Sequence, residues 1–315
     1  MEKIKLGVSA CLLGENVRYD GGHKLDRFLT DTLGQYVKYA PVCPEVECGL
    51  GGPREPMHVE GDPNSPWLVT IRTKRDITDR MIKWAQRRVA ELEKADLCGF
   101  IFKSNSPSCG MDRVKVYNEK EGSVIKGVGI FARIFMEHFP LLPVEDERRL
   151  HDPQLRESFI EKTFTLERWR QVLEGKKSRG NLSDFHTRHK LLILSHSPKH
   201  YQMMEKLVTK AKHLPLKELY QKYQTLLVES LYLKTSPKKN ANVLQHTIGY
   251  FKKRLSSDEK QELFEAVDFY RKGRIPLIVP ITLINHYVRK YDQPYLKQQV
   301  YLNPHPLELR LRNHV

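Results

Sequence analysis

The sequence predicts an α/β N-terminal domain with a mainly parallel, Rossmann-like three-layer sheet, followed by an all-α C-terminal domain. Three observations carry this. Over residues 1–150 short apolar runs alternate with helical patterns, which implies crossover connections between parallel strands. Beyond residue 150 helical periodicity has no competing strand pattern. The change coincides with a shift in chemistry. Residues 1–150 hold 23 Lys+Arg against 22 Asp+Glu and all five cysteines, whereas residues 151–315 hold 30 against 16 and no cysteine.

Taken in order, residues 4–10 read as the first strand and residues 25–36 as a helix. Residues 37–42 form a second strand and 68–72 another. Residues 76–94 make an amphipathic helix with Ile77, Met81, Trp84, Val89 and Leu92 on its core face. An apolar strand over 98–103, a helix over 129–138 and a last strand over 141–144 complete the first half. In the second half, Thr165 is positioned to cap a helix that stops at Gly175, and residues 175–181 read as an exposed joint. Ser197-Pro198 and the capping box Ser256-x-x-Glu259 open two further helices. Residues 216–233 carry Leu219, Tyr220, Tyr223, Leu226, Leu227 and Leu231 at helical spacing, and 280–291 form the last long helix. The division expected is 1–150, a linker helix and joint over 151–182, and a helical domain over 183–315.

A chain of 315 residues, 40% of them apolar, exceeds one ordinary domain and is too apolar to be disordered. No stretch approaches the roughly 20 uninterrupted apolar residues of a membrane span, so no membrane partner is expected. The apolar run near the N-terminus is followed at once by Glu15 and Arg18, with no small-residue cleavage site. It reads as a strand rather than a signal peptide, and a cytoplasmic location is expected. Five cysteines in such a chain argue against a disulfide framework and for metal or catalytic use.

Three of those cysteines have unusual neighbours: Ser9-Ala-Cys11-Leu-Leu-Gly14, Pro41-Val-Cys43-Pro-Glu45 and Ser106-Pro-Ser-Cys109-Gly110. Gly and Pro let the backbone turn sharply and present the sulfur. Each cysteine follows a predicted strand within a few residues, and in open α/β sheets ligands bind beyond the carboxyl ends of the strands. Three thiolates on one loop face could ligate zinc or an iron–sulfur cluster. There is no C-x-x-C pair, so spacing alone leaves metal binding level with structural or redox thiols. Cys98, in an apolar run, reads as core, and Cys48 as at most a substitute ligand. Gly49-Leu-Gly-Gly52 lacks the Lys-Ser/Thr of a phosphate loop, so no nucleoside triphosphate is expected. Gly127-Val-Gly129 precedes a helix, where tight packing explains it better than anion binding.

Together Ser9-Ala-Cys-Leu-Leu-Gly…Val17-Arg-Tyr-Asp-Gly21, Pro41-Val-Cys-Pro-Glu-Val46…Gly49-Leu-Gly-Gly-Pro-Arg54 and Phe102-Lys-Ser-Asn-Ser-Pro-Ser-Cys-Gly110 resemble the thiouracil desulfidase (TudS) family over residues 4–150. The basic half, including Asp184-Phe-His-Thr-Arg-His-Lys190, looks like the domain fused to that module in YbgA-like proteins and in bacterial tRNA 4-thiouridine desulfidases. The resemblance implies a [4Fe-4S] cluster held by Cys11, Cys43 and Cys109 with one iron left open to bind the substrate sulfur. It implies an iron–sulfur desulfidase domain at 1–150 and a basic helical RNA-binding domain at 183–315. A carboxylate must take a proton from the attacking water, and Glu45 is the candidate. Ser104 is the candidate for contacting substrate or water, with Ser106 and Ser108 as rivals. Lys103, Arg18, Tyr19 and Asp20 are placed at the mouth.

In the basic half, His186 and His189 lie at i, i+3, where packing or RNA contact outweighs a metal pair because no acidic or cysteine partners cluster nearby. Lys238/Lys239 and Lys252/Lys253/Arg254, interleaved with Tyr250, Phe251 and Tyr270, support a phosphate-tracking surface. The reading is a non-redox, hydrolytic desulfidase converting thiolated uracil, 4-thiouridine in tRNA above all, to uridine with release of sulfide. One alternative is the same chemistry on free thiolated bases or nucleosides. Another is a non-catalytic nucleic-acid-binding protein with a structural metal, which would recruit a fourth ligand such as Cys48.

Overall fold

The computed structural model describes residues 3–117 and 124–314. It divides into two compact units, Met1–Thr163 and Phe164–Val315.

The first unit is built on two four-stranded sheets. Strands β1 (Ile4–Ser9), β2 (Val37–Val42), β5 (Phe100–Phe102) and β8 (Val144–Asp146) form an all-parallel sheet in the order β2-β1-β5-β8. The sheet is doubly wound: β2 pairs on one side of β1 and β5 on the other, in parallel register Ile4↔Val37 and Gly7↔Phe100. The chain reverses its direction of travel at β1, and a crevice opens there beyond the carboxyl ends. The second sheet, which the sequence reading does not anticipate, joins β3 (Met57–Asp62), β4 (Ser65–Thr70), β6 (Val114–Tyr117) and β7 (Val124–Gly127) in the order β4-β3-β6-β7. Of its strands the sequence reading finds only β4, as the strand expected over 68–72; β3 reads Met-His-Val-Glu-Gly-Asp, with only Val59 fully buried, and shows no clear alternation.

Helices α2 (Thr78–Glu93) and α3 (Ile130–His138) share one hydrophobic core with residues of both sheets. The expected stripe of α2 is buried as read: Ile77, Met81, Trp84, Val89 and Leu92. Phe131 and Phe135 of α3 meet Phe100 and Phe102 of β5, with Phe100 and Phe135 ring centroids 4.6 Å apart. Removing one such fully buried ring costs about 3–5 kcal/mol. The helix expected over 25–36 is instead a π-turn at Phe28–Thr32 and a 3-10 turn at Leu33–Gln35. Asp26 starts it by accepting the Phe28 and Leu29 amides at 3.0 and 3.3 Å. Thr30-Asp31-Thr32 and Gly34 are poor helix formers, so only Leu29 and Leu33 are anchored. The last strand also differs: it runs Val144–Asp146, starting where the predicted 141–144 ends.

Helix α4 (Pro153–Glu174) runs across the unit boundary. Thr165 is therefore inside a helix, buried, rather than a cap. The second unit holds α5 (Arg179–His196), α6 (Pro198–Thr209), α7 (Leu216–Tyr232), α8 (Pro237–Ile248), α9 (Ser257–Arg271), α10 (Ile278–Lys290) and the short α11 (Pro294–Lys297). Caps start them where expected. Ser197 accepts the His200 amide, and Ser256 with Glu259 closes a reciprocal capping box. Their core gathers Trp169, Phe185, Tyr223, Leu227, Leu244, Phe251 and Ile284. Among the described residues no helix is long and apolar enough to cross a membrane.

Candidate active site

Three parallel strands, β1, β2 and β5, end at one crevice and deliver polar or sulfur-bearing residues to it, and β8 backs it with a carboxylate. Ser9 ends β1 and Cys11 follows it; beyond β2 come Cys43 and Glu45, beyond β5 Lys103 and Ser104, and beyond β8 Glu147, which holds Ser104 from behind. A loop after Ser104 adds Cys109. A cavity of about 410 Å³ is lined by Cys11, Cys43 and Cys109, together with Glu45, Lys103, Ser104 and Arg54. That size falls within the roughly 300–1,000 Å³ of small-molecule sites. Arg18, Tyr19, Ser106 and Lys24 line it too, while Cys48, Cys98, Ser108 and Asp20 do not.

The local folding explains each position. Gly14 takes a left-handed conformation, φ 93°, and ends the 3-10 turn Ala10–Leu13 that carries Cys11. Cys43 precedes the one-turn helix α1 (Pro44–Glu47), whose Pro44 supplies the pre-set φ of a first helical residue. The Cys43 amide donates to Glu47 Oε1 at 2.9 Å. The Cys109 loop is docked on α3: Ile130 and Ala132 amides donate to the Pro107 and Ser108 carbonyls at 3.2 and 3.1 Å. Two first-turn amides of α3 are thus taken up by the loop, and a Cβ at Gly129 would lie 2.5 Å from the Ser108 carbonyl oxygen.

Glu45 is buried at the centre of the polar contacts. The Cys43 thiol donates to its Oε2 at 3.5 Å, Ser106 Oγ donates to its Oε1 at 3.4 Å, and the Arg54 guanidinium lies 3.7 Å from Oε2. Arg54 also donates to the Val17 and Gly51 carbonyls at 2.8 Å, tying both mouth loops to the carboxylate. Ser104 lies in a second network. Its amide and hydroxyl both donate to Glu147 at 2.7 Å, and Lys103 Nζ donates to Glu147 and to the Ser104 carbonyl. Burial opposes the charge on Glu147, but the Lys103 ammonium and the Ser104 hydrogen bonds outweigh it and hold the carboxyl below its ordinary range. The three candidate serines are separated: Ser104 faces the cavity, Ser106 accepts the Cys109 amide at 3.0 Å, and Ser108 is buried away from the lining.

All five cysteines are free thiols. Burial, followed by the Glu45 carboxylate, pushes Cys11 up to about 11 and Cys43 up to about 12, and raises Cys109 well above its usual value. A cationic metal group is what such a donor set needs to become thiolate. Among the described residues no group of three His, Cys, Asp or Glu is gathered tightly enough for a single metal ion. A cubane cluster takes one thiolate per iron and so accepts more widely spaced sulfurs. Cys48 donates to the Glu45 carbonyl at 3.3 Å and packs in the core, and Cys98 is fully buried.

Glu147 and Arg54 are the site residues that sequence reasoning misses. Arg54 stands inside a quoted motif without an assigned role. Glu147 is the first residue after β8, and correct placement of that strand is the signal that would have found it.

In the second unit, Lys238, Lys252 and Lys253 are exposed. Lys239 Nζ instead donates to the His196 and Lys234 carbonyls at 2.7 Å, and Arg254 donates to the Tyr291 carbonyl. Of the aromatic residues expected among them, Phe251 and Tyr270 are core, and Tyr250 is exposed. His186 and His189 are both buried. His186 bridges Tyr223 and Glu205 at 3.1 and 2.9 Å, and His189 stacks on Phe185 with centroids 3.8 Å apart. Burial lowers both, His189 to about 3, and both side chains are consumed by packing and hydrogen bonds inside the helical unit.

A family model described as 2-thiouracil desulfurase matches residues 6–147, and one described as a protein of unknown function (DUF1722) matches residues 190–306. The uncharacterized protein YbgA of Escherichia coli (strain K12) is 32% identical over 158 residues, covering 50% of this chain and 94% of that protein. The uncharacterized protein YbbK of Bacillus subtilis (strain 168) is 29% identical over 136 residues, 41% of this chain and 88% of that one. A solved structure, the [4Fe-4S]-dependent thiouracil desulfidase TudS, is 32% identical and covers 50% of this chain and 99% of its own, with a TM-score of 0.41.

Proposed function

The chain belongs to the family of the YbgA protein and carries a 2-thiouracil desulfurase domain over residues 6–147, and from that premise we propose that it removes sulfur from a thiolated uracil, 4-thiouridine of tRNA in particular. The observation that carries this reading is the meeting of Cys11, Cys43, Cys109 and Glu45 in one cavity at the carboxyl ends of the parallel sheet. Cys11, Cys43 and Cys109 would hold a [4Fe-4S] cluster, and their free, buried thiols fit that role. When bound, the cluster supplies a Lewis-acidic iron that polarises the carbon–sulfur bond.

The chain's own residues do the rest. Glu45, fixed by Arg54 and Ser106, accepts a proton from the water that attacks the ring carbon. Oxygen enters as the C–O bond forms, sulfur leaves as hydrogen sulfide, and no electrons are gained or lost. Ser104, held by Glu147, presents its hydroxyl at the cavity wall to orient the base or the water. Lys103, whose charge Glu147 neutralises, keeps that wall polar without leaving a free cation against the thiolates.

The choice of an RNA substrate rests on the second half, with 30 Lys+Arg against 16 Asp+Glu, since polyanion affinity comes from counterion release. A duplexed or stacked nucleotide must leave its stack to reach the crevice. Against a structural zinc stands the placement of Cys48 in the core, outside the cavity lining. The test is an anaerobically prepared full-length protein with iron and sulfide counted, offered thiolated tRNA and free 4-thiouridine. Sulfide release from tRNA with about four irons per chain supports the reading. Loss of at least 10²-fold in turnover is expected for Glu45→Gln with the cluster retained, and undiminished turnover in that variant would remove Glu45 from the mechanism.

A further inference from the structure

A pair of stacked tyrosines, Tyr250 exposed and Tyr295 half-buried beneath it against the core, lies in the helical unit near the exposed lysines. Tyr250, in the 3-10 turn Gly249–Phe251 that ends α8, lies on the ring of Tyr295 at 4.8 Å between centroids and 21° between planes. His246, one turn earlier, meets Tyr250 edge-on at 5.7 Å and 89°. Lys190 Nζ sits 5.2 Å from the centre of the Tyr295 ring. Tyr250 remains 38% exposed, and Lys252 and Lys253, two and three residues on, are exposed as well.

We propose that Tyr250 and Tyr295 form a stacking shelf for an unpaired RNA base, with Lys252 and Lys253 taking the flanking phosphates. This rests on the RNA-binding reading of the helical half and deepens it. The argument is one of complementarity. An aromatic ring already rigid against a neighbour binds a base face with little ordering cost, and stacking tolerates any base because every base has a π-face. Cations beside the shelf track the backbone. Lys190 over the lower ring polarises the pair and holds it in place. Tyr250 and Tyr295 are 45 residues apart, so folding assembles the shelf, and the neighbouring aromatics Phe251 and Tyr270 are consumed by the core.

The experiment uses the full chain and two fluorescein-labelled probes, a uridine decamer and a phosphodiester oligomer of equal length without bases, each at two salt concentrations. Tyr250→Ala should weaken decamer binding roughly 5- to 150-fold, the loss seen at a single stacked base, and leave the base-free oligomer unaffected. Tyr250→Phe, which keeps the ring, should bind both like the wild type. Lys252→Glu with Lys253→Glu should weaken both probes and flatten the salt dependence. If Tyr250→Ala binds the decamer normally, or loses both probes equally, the shelf is overturned while the RNA reading stands. If the wild type binds neither probe, the RNA-binding reading falls and the shelf falls with it.

Discussion

Truncating Glu147 tests whether the second network organises the site. Its carboxylate accepts the Ser104 amide and hydroxyl at 2.7 Å and the Lys103 ammonium, and the two charged side chains are only 13% and 15% exposed. Removing one partner of a buried pair costs about 3–5 kcal/mol. Lys103 keeps the Ser104 carbonyl at 2.8 Å, which places Glu147→Ala at the lower end, about 3 kcal/mol. At roughly 2–4 °C per kcal/mol for a domain of this size, the first unit should melt about 6–12 °C earlier. Ser104 loses its anchor in the same step, so turnover should fall in whatever protein remains folded. Glu147→Gln separates the effects, because the amide oxygen still accepts from Ser104 while the charge is gone. The pH dependence has a definite sign. Glu147 is held below the usual carboxylate range, so its stabilisation is complete above the unfolded-state pKa and disappears as pH falls through the lower, folded-state value. The gap in Tm between wild type and Glu147→Gln should be widest near neutral pH and close as the pH falls through the carboxyl's lowered range. Calorimetry and a sulfide-release assay read both quantities. A Glu147→Ala protein that melts within about 2 °C of the wild type and turns over normally would refute the reasoning.

The remaining expectations are narrower. Replacing Cys11, Cys43 or Cys109 by Ala should abolish the cluster's visible absorbance and bound iron in anaerobically reconstituted protein, whereas Cys48→Ala and Cys98→Ala should keep both. Retained iron in Cys43→Ala would withdraw that residue as a ligand. Gly129→Ala should destabilise or displace the Cys109 loop, because the new Cβ would stand 2.5 Å from the Ser108 carbonyl; an unchanged melting temperature together with full iron content would show that the loop yields freely. Reversing Lys252 and Lys253 to Glu should lower kcat/KM on thiolated tRNA more than on free 4-thiouridine and reduce the salt slope, since each phosphate contact contributes about one unit to it. A ratio unmoved by mutation and by salt would take this patch out of the interface.

Most of the elements were legible because their signals are local. The stripe of α2, the Ser197 and Ser256 caps and the apolar run of β5 are each written within a turn or two of chain, and they appear where periodicity puts them. Cys11 and Cys43 could be placed at strand ends for the same reason. Of the second sheet only β4 could be read, because β3 and β6 are half-polar and take their shape from pairing Val59 with Val116 across the chain.

By itself, then, the sequence determined the split into an α/β half and a basic helical half, the parallel sheet and the three cysteines in Gly- and Pro-flanked turns. Tertiary structure alone decided which groups meet. The strand order β2-β1-β5-β8 brings Glu147 to Ser104 from 43 residues away and gathers the ends of β1, β2 and β5 at one crevice. Folding of the helical half decided that His186, His189 and Phe251 are core while Tyr250 stays at the surface. The physical reason is range. Propensity, capping and hydrophobic period act over a few residues, whereas burial and charge pairing are properties of contacts between segments that no local window contains.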